Sequence, residues 1–128
     1  MIAAPGQKND CGVYTPTETL ALPQPNRKGW RGSPLAEIDI VRTSEGWRAV
    51  HGIQFLTGSC WGSSSPLMDR DTAFNSRDAA IEHQVARLRE RVTKYGEREP
   101  GALRDVRAIL AWLDNLRPVQ ADLFAALA

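Results

Sequence analysis

Two cysteines, two histidines and a basic ridge are the parts of this 128-residue chain whose side chains could do chemistry. Cys60 lies in the run Gly58-Ser59-Cys60-Trp61-Gly62-Ser63-Ser64-Ser65. A cysteine nucleophile needs a histidine in reach and an acidic or amide group to orient it. His51, His83 and several carboxylates exist, but none stands at a motif-level spacing. A lone cysteine beside a tryptophan reads more simply as a small buried packing group. Cys60 is therefore expected to be dispensable, and no catalytic residue is assigned. Cys11, Cys60, His51 and His83 suffice in number for a zinc site. They show no Cys-x-x-Cys or His-x3-His spacing, so neither metal nor cofactor is expected. The Gly58–Ser65 run offers backbone amides and hydroxyls that could hold a phosphate. It lacks the Gly-Lys-Ser/Thr ending of a phosphate loop, and a plain hairpin tip is the simpler reading.

Positive charge gathers in two places. Arg87, Arg91, Lys94 and Arg98 follow steps of 4, 3 and 4, which sets four cations on neighbouring turns of a helix. Such a ridge could follow a phosphate backbone. Glu90, Glu97 and Glu99 are interleaved, and Glu90 stands four residues before Lys94, the favourable order for a helix ion pair. A solvated, salt-bridged face is the competing reading. Arg27, Lys28 and Arg31 flank Trp30 near the N-terminus, and that tryptophan is expected to be exposed or interfacial. Trp47, Trp61 and Trp112 are expected in the core.

The elements that must position these groups follow from hydrophobic period. Five of the eight prolines fall in the first 34 residues, a density that breaks helices and central strands. Residues 1–33 are therefore expected to form an irregular arm. Ala36, Ile38 and Ile40 alternate with Glu37 and Asp39, and Trp47, Ala49, His51, Ile53 and Phe55 alternate with their neighbours. These are two strands, antiparallel because Thr43-Ser44-Glu45-Gly46 is a short turn. Gly52 is a candidate bulge, and a short third strand or a loop follows at Gly58–Leu67. Asn75 or Ser76 can cap a helix with Phe74 stapled onto its first turn. Ile81, Val85, Leu88 and Val92 give that helix, over 76–95, an apolar stripe that ends at Gly96. Pro100 opens a second helix with a stripe of Leu103, Val106, Leu110 and Leu113, closed by Pro118. Strands first and helices after is an α+β pattern. The expectation is a small antiparallel sheet of two to three strands packed by two C-terminal helices. The organisation is arm 1–33, domain 34–117 and tail 118–128.

Composition bounds the rest. An apolar share of 42% and a charged share of 24% are those of a globular protein, not of a fibre or a disordered chain. A net charge of +1 argues against non-specific nucleic-acid coating as the main activity and equally against an acidic DNA mimic. No apolar run reaches the length of a membrane span, and no secretory leader is legible at the N-terminus. The expected setting is the cytoplasm, with reduced thiols.

Two resemblances add a function. Gly46-Trp47-Arg48, Gln54-Phe55, Gly58 to Leu67 and Thr72 to Ile81 resemble a small domain of bacterial plasmid, integrative-element and phage proteins. That domain is found beside ParB-like partition, helicase or methyltransferase modules. The resemblance implies DNA transactions of a mobile genetic element and carries over no catalytic residue. Gln120-Ala121-Asp122-Leu123-Phe124 resembles the pentapeptide that binds the bacterial sliding clamp. In that motif Leu123 and Phe124 would fill an apolar pocket, Gln120 would fix the register, and Asp122 takes the central acidic place. A last helical turn packed on the core is the other reading of this tail. The resemblances imply a non-enzymatic accessory binding protein whose partner is a host protein, the DNA polymerase sliding clamp or a defence-system subunit. In the second case the chain would be an anti-CRISPR or anti-restriction inhibitor. Nucleic acid is a further expected partner.

Overall fold

Ser44 and Glu45 join two strands across a two-residue turn, and neither takes a positive φ. Gly46 takes it instead, at 135°, so the turn works because the next residue lacks a Cβ. The computed structural model describes residues 3–25 and 27–116. In chain order it contains β1 (Glu18–Leu22), β2 (Ala36–Thr43), β3 (Gly46–Gln54), β4 (Gly62–Ser64), helix α1 (Arg77–Arg98), a 3-10 turn (Pro100–Ala102) and helix α2 (Leu103–Asn115). The strands form one antiparallel sheet in the order β1-β2-β3-β4. The α+β class is as expected, with four strands in place of two to three.

The additional strand is β1, inside the stretch expected to be an irregular arm. Glu18-Thr19-Leu20-Ala21-Leu22 fits between Pro16 and Pro23 at a sheet edge, where a flanking proline costs no ladder hydrogen bond. The preceding residues are also placed. Lys8 bridges Tyr14, Val13 bridges Met68, and the Tyr14 amide donates to the Leu67 carbonyl at 2.7 Å.

One face of the sheet carries the main core. Ala36, Ile38, Ile40, Ala49 and Ile53 meet Ile81, Leu88 and Val92 of α1 and Val106, Ile109 and Leu113 of α2. Burying large apolar side chains of this kind stabilises by roughly 1.5–3 kcal/mol each. Trp47, Trp61 and Trp112 pack half-buried on its margin. Leu103, expected on the apolar stripe, is exposed at the first position of α2. The other face is not simply solvated, as alternation alone implies. Val41, Val50 and Leu67 form a second small cluster under Tyr14, and Arg48 is 3% exposed there.

Helix α1 begins as its sequence dictates. Ser76 is extended and its Oγ accepts from the Ala79 amide at 3.1 Å, with Asp78 in the first turn. Phe74, just before the cap, also joins the sheet. Its amide and carbonyl pair with those of Trp47 on the free edge of β3, and its ring lies 5.1 Å from His83. The helix also runs past Gly96, to Arg98. Gly96 is buried where α2 crosses, and a Cβ there would lie 3.2 Å from Val106. It permits close helix packing rather than stopping the helix. Gly52 marks no bulge: the register passes unbroken through Glu37↔Gly52↔Ser64.

Candidate functional site

The loop after β3 and the basic ridge of α1 meet in space. Gly58 at φ 67° has no room for a side chain, since a Cβ would lie 3.0 Å from the Tyr95 hydroxyl. That hydroxyl donates to the Thr57 carbonyl at 3.1 Å. The Phe55 amide bonds the Trp61 carbonyl at 2.7 Å, so the loop returns to the strand that launched it. Phe55 and Tyr95 stack with centroids 4.3 Å apart, and Trp61 joins them at 5.6 Å from Tyr95. The loop is therefore packed onto α1, not a bare hairpin tip.

Arg91 lies across this aromatic stack, its guanidinium carbon 5.1 Å from the Trp61 ring centre. Its Nη1 donates to His51 Nε2 at 2.9 Å. His51 Nδ1 in turn donates to Gln84 Oε1 at 2.7 Å, and Gln84 Nε2 donates to the Ala49 carbonyl at 2.9 Å. The donor at Arg91 fixes the imidazole tautomer, because Nε2 must accept. Burial, then the nearby Arg91, Arg87 and His83, push His51 below its ordinary pKa, against the opposing hydrogen bond to Gln84. A neutral His51 is what this relay requires. Both ring nitrogens are engaged, so the imidazole offers no free atom for proton transfer.

The relay aims a cation without neutralising it. Among the described residues, Arg87, Arg91 and Arg98 have no carboxylate at ion-pair distance. Lys94 does: its ammonium bonds Glu90 at 2.9 Å, the exposed pair expected from their spacing. The ridge is thus split between one solvated ion pair and three open arginines. Arg98 shares a cleft of about 260 Å³ with Ser59, Trp61, Tyr95 and the acidic Glu99. A guanidinium held in one plane by a histidine and an indole, with donors left over, is suited to a phosphate or carboxylate.

The other cations lie elsewhere. Arg27, Lys28 and Arg31 are exposed in the β1–β2 connection, and Trp30 beside them is 45% exposed. Arg27 lines a cleft with Trp30 and Glu37, different from the one that Arg98 lines. Cys60 is exposed at φ 55°, against the burial expected for it. Gln120, Asp122, Leu123 and Phe124 lie outside the described residues.

Sequence reasoning missed the His51–Gln84 relay. The signal was present: each is a polar residue on the apolar face of its element, His51 between Ala49 and Ile53, Gln84 between Ile81 and Leu88. Asp105 was missed too; it is buried and accepts from the Thr57 hydroxyl at 2.7 Å, tying the loop to α2. Comparison with family models, with curated proteins and with solved structures finds no match for this chain. No helix among the described residues is long and apolar enough to cross a membrane.

Proposed function

We propose that this chain is a non-enzymatic accessory binding protein in the DNA transactions of a bacterial mobile genetic element, acting in the cytoplasm. Its α1 face grips nucleic-acid phosphate through Arg91, flanked by Arg87 and Arg98. The observation that carries the reading is Arg91 itself: stacked on Trp61, held by the buried His51, and without a carboxylate partner among the described residues. The clamp-like pentapeptide Gln120 to Phe124 gives the protein a second contact, to the host sliding clamp.

Fluorescence anisotropy with labelled single-stranded and duplex oligonucleotides, over a salt series, tests the first contact. Affinity should fall with salt, and Arg91→Ala should reduce the logarithmic salt slope by about one unit. Absence of binding to either strand form at low salt, or a slope that Arg91→Ala leaves unchanged, defeats the reading.

A further inference from the structure

The sheet's outer face carries a pair of clefts built on other residues. One row crosses all four strands in register: Ala21, Glu37, Gly52 and Ser64. Three of the four are small, so Glu37 stands in a trough. Gly52 makes the room, since a Cβ there would lie 3.2 Å from Glu37 Oε1. Two adjoining clefts, of about 270 and about 350 Å³, share Glu37 and Pro34. The larger is walled by Trp30 and Arg27. The indole is fixed there: Nε1 donates to the Ser33 carbonyl at 2.9 Å, and Gly32 leaves the space the ring occupies.

Glu37 has no ion-pair partner among the described residues. Burial first, and then Asp39, push its carboxyl above the ordinary range. Such a group is short of donors. An exposed ring beside an unsatisfied carboxylate can take a cation or a flat donor-bearing heterocycle. Arg27 in the cleft, with Lys28 and Arg31 close in sequence, opposes a cation and favours a ligand that carries phosphate. Among the nucleobases, guanine alone presents two adjacent N–H donors, N1 and the 2-amino group, on its Watson–Crick edge. Adenine and cytosine each place an acceptor beside their donor, and uracil flanks one donor with two acceptors. A carboxylate with two acceptor oxygens matches guanine and repels the others.

We propose that the Trp30–Glu37 cleft binds a guanine base, stacked on Trp30 and paired through its Watson–Crick edge to Glu37, with the attached phosphate near Arg27. This deepens the nucleic-acid reading but rests on a separate surface from Arg91.

Calorimetric titration of the full chain with guanosine, adenosine and inosine monophosphates is the test. Guanosine monophosphate should bind about tenfold more tightly than the adenosine form, and inosine monophosphate, which lacks the 2-amino group, should fall between them. Trp30→Ala should weaken guanosine monophosphate binding about tenfold. Glu37→Gln should erase the preference at an unchanged melting temperature. If Glu37→Gln does not fold, the order of the three nucleotides on the native chain decides. Equal binding of all three, no binding of any, or a preference that survives Glu37→Gln overturns the proposal. Oligonucleotide binding that depends on Arg91 without a guanine preference sinks this inference and spares the first reading. A guanine preference without Arg91-dependent oligonucleotide binding does the reverse.

Discussion

The His51 imidazole shows how much of the site depends on one proton. Its pKa is depressed in the folded chain, chiefly by burial, so the folded state resists a proton that the unfolded state accepts. The stability it contributes is therefore present above the unfolded value of about 6.5 and is lost as pH falls from there toward the folded value. Urea midpoints measured at about pH 7.5 and about pH 5.5 should fall between the two, and His51→Gln should remove that part of the fall. An identical pH response in the substituted protein would mean the relay is not the sensor. Glu37 works in the opposite sense over its own range, since its carboxyl is raised, which is why the comparison must be made against His51→Gln. At this scale the sequence was half legible. Arg87, Arg91, Lys94 and Arg98 could be placed on one ridge by spacing alone. Which of them is open depended on partners distant in sequence: His51 on β3 and Trp61 on the loop for Arg91. No local pattern encodes a side chain that arrives from 40 residues away.

Elements with a clean period were read most securely. Strands β2 and β3, the Ser76 cap and the apolar stripe of α1 all follow from residue type and spacing. Strand β1 was hidden by prolines, because proline density argues against central strands and says little about an edge. The end of α1 was misplaced for a related reason. Glycine signals a helix stop when exposed, but Gly96 is buried against Val106, and burial is a tertiary fact. Gly46 is the point where an element depends most on a single atom. A Cβ there would overlap the Phe74 carbonyl oxygen, and that carbonyl accepts from the Trp47 amide at 2.8 Å. Gly46→Ala should cost about 2 kcal/mol or more, from backbone strain together with loss of the Trp47–Phe74 pairing. Chemical denaturation measures it; a loss below about 0.5 kcal/mol would show that the turn can shift to accommodate the methyl.

For the whole molecule, the order of strands before helices sufficed to give the α+β class. What it did not convey is that both faces of the sheet are used, the inner by helices and the outer by the N-terminal residues. The tail belongs to this scale because it tests whether the chain has two separable contacts. Leu123→Ala with Phe124→Ala should abolish capture of the sliding clamp, for which a short peptide gives an affinity on the order of micromolar, and leave oligonucleotide affinity as it was. Clamp capture that survives the double substitution removes the motif from the function. A last consequence follows from how the N-terminal residues are fastened. Lys8 and Tyr14 both bond Asp69, across 61 and 55 residues of chain, and Glu18 holds Arg77 with two hydrogen bonds of 2.7 and 2.6 Å. Closing such long loops costs chain entropy, so these contacts are expected to form after the local β2–β3 hairpin and the helices. Tyr14→Phe should therefore accelerate unfolding in stopped-flow experiments and leave the refolding rate unchanged, a φ-value near zero, so that the strap governs how long the folded molecule lasts rather than how quickly it is made.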